Sequence, residues 1–423
     1  MKKIIILGAG ASGLMAGYIL SKQGFNIEII EAQDRIGGRI KSKNTNSFPY
    51  FLELGAEFVH GNLPTTLQLL DEAKIPYYKT EGEIWNYEEG VFNQDDNFSE
   101  YFEAFHEKLS QLTEDCSVYE FLENNFKGEK YSQLRKSILN FVQGYDGADP
   151  NEMSVFSLRE ENPDNEEEDE YTIEGGYSSL MEYLYLKCRE NGVNFHFSEI
   201  ITHTNWKKNK VFLTSKSNKE YKAEKVIFTL PIALLQQESI EFKPQIPEYI
   251  SAANEIGSGH AIKFIFQFNS EFFKTSKMSK LEDLHLLLSN EEIPTWWMHK
   301  TKPALLTGWL GGPKAFELRN SSNEELLNRS LKTLHHFFDL PENILFENLE
   351  NWEISVPTAD PFAKCAYSYD KINSEEARAV LNTPIEQTLY FAGEALYTGD
   401  ATGTVEAALI TGENTAKKII QLK

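Results

Sequence analysis

The stretch KIIILGAGASGLMAGYIL, close to the start of the chain, limits the possible folds more than any other. Its run of branched apolar residues reads as a buried strand, and ASGLMAGYILSKQG reads as a helix that stops at Gly24. FNIEII is a second strand, so the order strand, glycine turn, helix, strand opens a parallel, doubly wound α/β sheet. Gly8 permits the tight turn, Gly10 lets backbone amides approach a pyrophosphate, and Gly13 lets helix and strand pack closely. Ala11 and Ser12 then open the helix, whose N-terminus faces the anion. Glu31, followed by Ala32, ends the second strand, where a carboxylate accepts hydrogen bonds from a ribose diol. Two lysines ahead of an apolar run also suit a secretory leader, but the spaced glycines are better explained by a strand, turn and helix. The expectation is a Rossmann-type dinucleotide fold.

At 423 residues the chain exceeds one ordinary core, and two interleaved domains are expected. The net charge of −23 speaks against nucleic acid as a partner and would draw in cations, although acidity also serves plain solubility. The densest acidic run, NPDNEEEDE at residues 162–170, reads as a solvated loop. Cys116, Cys188 and Cys365 are odd in number and widely spaced, which gives neither a disulfide framework nor a metal site and suits a reducing cytoplasm. No run approaches the ~18 apolar residues of a membrane span.

Beyond Pro64 the pattern reads as helical to about Val155, with a capping box at Ser117–Glu120 and Asp149 as a cap before Pro150. IEGGYSSLMEYLYLKCRENG suggests a glycine turn and a serine-capped helix. VNFHF, EIITHTNW, KVFLTS and KVIFTLP read as strands, with an antiparallel ribbon around the KKNK turn. A second strand-rich region holds HAIKFIFQF, PALLTGWL and FENLENWEI, and the helix NEELLNRSLKTLHHFF lies before the last of these. The expected division is a cofactor domain from 1–75, 172–236 and 385–423, and a mixed-sheet-plus-helices substrate domain from 76–171 and 237–384.

EAQDRIGGRI puts the bare backbone of Gly37 and Gly38 between Arg35 and Arg39, beside an extended phosphate-containing ligand; a charged surface turn is the plainer alternative. Lys263 lies in an alternating apolar strand opposite Ile262, Phe264 and Phe266, so it either has a partner or points to solvent. YFAGEALYTGDATGTVEAALITG closes the chain with a strand, a Gly-Glu pair, a Gly/Thr-rich turn and a helix.

In these motifs, together with LELGAEFVHG and DPFAKCAYSY, the chain resembles the flavin-containing amine oxidases, which include monoamine oxidases, polyamine oxidases and flavin-dependent histone-lysine demethylases. The resemblance runs in the family's order over nearly the whole chain. It implies an FAD whose adenosine ribose meets Glu31, with Arg39 and the Gly37-Gly38 turn along the cofactor and Ile201 at the adenine. Leu54, Gly55, Ala56 and Glu57 would run under the flavin, and Gly393, Glu394 and the helix starting at Val405 would close its other side. Lys263 matches a lysine that holds a water at the flavin N5, Tyr367 one wall of an aromatic cage, and His60 a substrate-contacting histidine of polyamine oxidases. Thr404 stands where monoamine oxidases carry the second cage tyrosine, and Ala366 where they carry the cysteine that binds the flavin covalently, so a non-covalent FAD is expected.

The implied activity is oxidation of an amine, polyamine-like or another primary or secondary amine, to an imine, with oxygen as acceptor and hydrogen peroxide as product. Alternatives are an FAD-dependent desaturase of an apolar substrate, an L-amino-acid oxidase, or a non-catalytic flavoprotein scaffold. The protein is expected to be cytoplasmic, a monomer or homodimer, with a small-molecule amine as partner and no metal, nucleic acid or membrane.

Overall fold

The computed structural model describes residues 3–94, 99–159, 169–281, 283–299, 302 and 304–422. Lys3–Leu7 is the middle strand of a five-stranded parallel sheet, flanked by Asn26–Ile30 and Lys225–Phe228, with Asn194–His196 and Leu389–Phe391 at the edges. Ile4, Ile5 and Ile6 are fully buried because both faces of this sheet are covered. On one face lie the first helix, Ala11–Lys22, the helix Tyr177–Glu190 and the closing helix, Val405–Ile420. The other face carries a four-stranded sheet, in which Ile201–Lys207 and Lys210–Ser215 form the antiparallel ribbon expected around the KKNK turn.

Two departures from the sequence reading have clear causes. Glu241–Lys243 pairs with Ile201–Lys207, and the helices Pro247–Asn254 and Ser374–Leu381 pack against each other on the same core. The core between the five- and four-stranded sheets therefore also takes in segments from residues 237–384. In the supposedly helical stretch after Pro64 only Pro64–Ala73 is helix before Tyr77–Lys79, Glu83–Glu88 and Val91–Asn93 form strands. The last two are a hairpin turning at Glu89 and Gly90, both at positive φ, and Glu83–Glu88 is drawn into a sheet by pairing with Leu284–Ser289.

That sheet has seven strands, and Ala261–Phe268 lies between Leu349–Ser355 and Leu305–Gly311. One face packs on the amphipathic helix Asn323–Phe338; the other receives Phe48, Leu52 and Leu54. All eight residues of Ala261–Phe268 are therefore buried, and the option that Lys263 points to solvent is excluded. Ser99–Gln111, Val118–Asn125 and Ser132–Gly144 form the helical insert around a separate core. Ser117 caps the second of these by accepting from Glu120 N, as the capping box predicts. Asp149 instead sits in a turn, accepting from Asn151 N, with no helix after it.

The helix at Tyr177 is capped by Gly176 rather than by a serine, and a distant carboxylate, Glu53, accepts from Tyr177 N at 2.6 Å. Glu406 does the same for Pro64–Ala73: almost fully buried, it accepts from Thr65 N, Thr66 N and the Thr66 hydroxyl at 2.7–2.8 Å. Removing this acceptor leaves two buried donors and one part-buried donor unpaired, each buried one a cost of about 1 kcal/mol or more. Glu406→Ala is expected to lower stability by about 2–4 kcal/mol, read as a lower urea midpoint with an unchanged slope.

Candidate active site

A cavity of about 2000 Å³ runs from the glycine turn to the seven-stranded sheet. At its inner end, a Cβ on Gly8 would stand 2.6 Å from the Thr229 hydroxyl, and one on Gly13 would overlap the Gly8 carbonyl, so the turn is compressed to bare backbone. Gly10 faces open space, with nothing nearer to an added Cβ than Gly37 O at 3.9 Å. Ser12, at the start of the first helix, has a buried hydroxyl with no protein partner. A roomy glycine, an orphaned hydroxyl and the unpaired amides of a helix N-terminus form a cradle suited to a pyrophosphate. Glu31 stands at the rim, its carboxylate already accepting from Ala9 N and Gln33 N at 2.7 and 2.8 Å.

Toward the other end the wall is aromatic. Trp309 and Tyr367 lie with ring planes 3° apart and centroids 6.5 Å apart, and Trp297 is 6.3 Å from Trp309. Trp309 and Tyr367 both hang from the C-terminal end of Ser132–Gly144: Trp309 Nε1 donates to Gly144 O at 2.7 Å and the Tyr367 hydroxyl to Tyr145 O. These carbonyls have no helical partner of their own. Trp297 Nε1 is a second buried donor without a protein partner, beside Lys263, whose Nζ lies 5.4 Å from the indole centroid.

Two charge clusters stand on either side of Phe58. In the inner one, Lys263 donates to Glu57 Oε2 and, at 3.3 Å, to Gly55 O, while His299 Nε2 lies 2.8 Å from Glu57 Oε1. Burial works against the charge on Glu57, but Lys263 and His299 outweigh it and hold the carboxyl well below its usual range. In the outer cluster Glu170 receives His60 Nδ1 at 3.0 Å, His285 Nε2 at 3.2 Å and the Thr80 hydroxyl at 3.0 Å. Burial opposes this charge as well, yet the two histidines bring the Glu170 carboxyl down to about 2. His285 has acceptors at both ring nitrogens, Glu170 and Met298 O at 3.3 Å, which favours the imidazolium and raises its pKa against the effect of burial.

Lys263, His60, Tyr367 and Thr404 all line this cavity, as do Gly8, Gly10, Ala11, Ser12, Glu31, Ala32, Gly38, Arg39, Ile201, Gly393, Glu394, Val405 and the run Leu54 to Glu57. Gly13 lies beneath the turn as a packing residue. Arg35 is a correction: its guanidinium donates to Ile36 O, Gly38 O and Ile40 O, so it staples its own loop and does not line the cavity. Glu394 spends its carboxylate on Arg39 and Ser368, and Arg39 also donates to Ala366 O. The Thr404 hydroxyl is likewise used locally, accepting from Ala407 N as the cap of the closing helix and donating to Ala401 O.

Glu170 corrects the reading of the acidic run. It begins the strand Glu170–Ile173 and is held by three side chains, while residues 162–168 of that run lie outside the described residues. The sequence reading missed Trp297, His299, His285 and Trp309. A signal existed in TWWMH, where strand alternation puts Trp297 and His299 on one face and the fully buried Trp296 on the other.

Comparison with known proteins agrees with this geometry. The structure matches that of a putrescine oxidase bound to putrescine with a TM-score of 0.81 at 18% identity, covering 99% of each chain, so the fold is that of this class of flavoproteins. The model of the flavin containing amine oxidoreductase family matches residues 11–114 and 83–420, and the chain belongs to that family. FAD is the cofactor of these homologues, and the cradle fits it.

Among curated relatives, lysine-specific histone demethylase 1 homolog 3 of Arabidopsis thaliana is 26% identical over all of this chain and 30% of its own length. Polyamine oxidase 4 of Oryza sativa subsp. japonica is 21% identical over 99% of this chain and 90% of its own. The chain thus spans under a third of that demethylase. Among the described residues no helix is long and apolar enough to cross a membrane, and no His/Cys/Asp/Glu group is arranged to hold a metal.

The outer cluster ties stability to pH. The Glu170 contribution is complete above pH 4.5 and fades toward about 2, whereas that of His285, whose pKa is raised above 6.5, is complete below 6.5 and fades as pH rises through its folded value. Stability from this cluster is expected to peak between those limits, and His285→Gln should flatten the decline seen in thermal melts above neutrality.

Proposed function

We propose that the protein is an FAD-dependent amine oxidase that takes a primary or secondary amine, polyamine-like in charge, and releases an imine and hydrogen peroxide. The carrying observation is the aromatic chamber of Trp297, Trp309 and Tyr367, which opens from the nucleotide cradle with Lys263 in its wall. FAD, when bound, supplies the two-electron acceptor for the C–H bond next to nitrogen and passes the electrons to oxygen. The residues do the rest. The aromatic, largely apolar wall disfavours the ammonium and favours the free amine that can be oxidised. Tyr367, fixed through its hydroxyl to Tyr145 O, and Trp309, fixed through its indole to Gly144 O, hold the walls that orient that amine.

Arg39 is the one arginine among the described residues lining the cavity, and it is tied to Glu394. No guanidinium is then left to grip a substrate carboxylate, which argues against the L-amino-acid oxidase reading. The three cysteines are free, which supports a reducing, cytoplasmic setting. Incubating purified protein with diamines, polyamines, arylalkylamines and amino acids should give peroxide with the amines and not the amino acids. Peroxide from none of them would overturn the proposal.

Attachment of the cofactor follows from the neighbourhood of residue 366. That position is alanine, and the Cys365 thiol is fully buried, with its pKa raised by burial and its sulfur near Arg39 Nη1 and Ala363 O. Non-covalent FAD is expected. Acid precipitation should leave the yellow colour in the supernatant, and colour retained in the pellet would contradict this.

A further inference from the structure

The seven-stranded sheet turns one face to the cavity, and its strand pairings set the order of the side chains there. Leu286 stands opposite Trp297 of the strand Thr295–Met298 on one side and opposite Ile84 of Glu83–Glu88 on the other. In the next row Trp309 is followed by Thr295, Leu288 and Asn86. All of these line the cavity, whereas Leu287 and Trp296, pointing the opposite way, are buried in the core behind the sheet. Exposure rises outward: Trp297 is buried, Leu286 half-buried and Ile84 51% exposed, with Leu288 37% exposed beside them. Phe141 of Ser132–Gly144, 40% exposed, lines the same cavity and stacks on Tyr145 with centroids 5.2 Å apart. Two side-chain bonds tie that helix to the sheet, Gln133 Nε2 to Glu88 Oε1 at 2.9 Å and Asn140 Nδ2 to Asn290 Oδ1 at 3.0 Å.

We propose that these two rows, with Phe141, form a distal subsite for an apolar tail, so that the preferred substrate is an amine whose nitrogen carries a linear alkyl chain. The occupant follows from continuity. The rows begin at Trp297 and Trp309, walls of the chamber, and a molecule held there lays the rest of its length along them. Contiguous exposed apolar side chains beside a cavity mark a surface that a ligand covers. Two strand spacings, about 10 Å, separate Ile84 from Trp297, and an extended chain of roughly eight carbons spans that distance. Neither row contains a charged side chain. Glu88, at the end of its strand, is bonded to Gln133, and His285, in the bulge beside Leu286, is bonded to Glu170. A second ammonium at this distance would lose hydration without gaining a partner.

The inference rests on the proposed oxidation of an amine and sharpens it: the cationic nitrogen stays in the chamber, and the chain that follows it along the sheet is uncharged. Alkyltrimethylammonium ions test the subsite apart from turnover, because their nitrogen has no lone pair and they are not oxidised as amines. They are titrated calorimetrically into FAD-loaded protein at about 0.15 M salt, where long-range attraction to the acidic surface is screened. From butyl to decyl, binding should tighten about two- to threefold per added methylene. A decane carrying trimethylammonium at both ends should bind more weakly than the decyl ion.

In I84Q/L288Q most of the gain per methylene should disappear, whereas F346Q, which changes an equally exposed phenylalanine away from the cavity, should keep it. Affinity independent of chain length, a gain unchanged in I84Q/L288Q or lost equally in F346Q, or tighter binding of the doubly charged decane would each overturn the proposal. If I84Q/L288Q does not fold, the chain-length series and the doubly charged decane, both measured on the unaltered protein, decide. In turnover, kcat/KM for peroxide from n-alkylamines should rise in parallel with the binding series, mostly through KM. Peroxide from amines together with a flat binding series would sink the subsite alone. A graded binding series with no peroxide from any amine would instead count against the proposed function and leave the subsite standing.

Discussion

The first and closing helices touch through backbone. A Cβ on Gly412 of the closing helix would overlap the Ser12 carbonyl, and one on Gly13 would overlap the Gly8 carbonyl. At this separation no side chain fits, and the first and closing helices are held against each other on one face of the sheet. The N-terminus of the closing helix, with Thr404 and Val405, consequently lines the same cavity as the glycine turn. Glu406, one residue further on and buried, accepts from the first turn of Pro64–Ala73, so the same helix that borders the glycine turn also anchors that helix.

Three sets of charged side chains at the cavity are matched among themselves. Lys263 is matched by Glu57, Glu170 by His285 and His60, and Arg39 by Glu394. The overall −23 of the chain is thus not mirrored by a bare carboxylate among these three sets. A cationic amine would be received by rings and carbonyls, and the acidic surface would serve to raise its concentration nearby.

The nucleotide half was legible because it is local. Gly8, Gly10, Gly13 and Glu31 fall within one strand, turn, helix and strand, and their work is done by backbone or by a single carboxylate. The chamber was legible only in outline. Lys263 and Tyr367 could be named from their motifs, but Glu170, His285 and His299 come from separate strands, and their meeting depends on sheet pairings such as His60 opposite Glu170. Arg35, Glu394 and Thr404 show a second limit. Their polar atoms are taken by neighbours a few ångströms away, and no pattern in the sequence reveals which partner a long or short side chain will find first.

Trp309 and Tyr367 belong to the sheet side of the molecule but are suspended from two consecutive carbonyls at the end of an insert helix. The spacing of these two rings in the chamber is therefore tied to where that helix ends. An insertion or a repacking anywhere along Ser132–Gly144 would move both walls together, leaving the glycine turn and the lysine untouched. The shape of the chamber can in this way change while the glycine turn keeps its form.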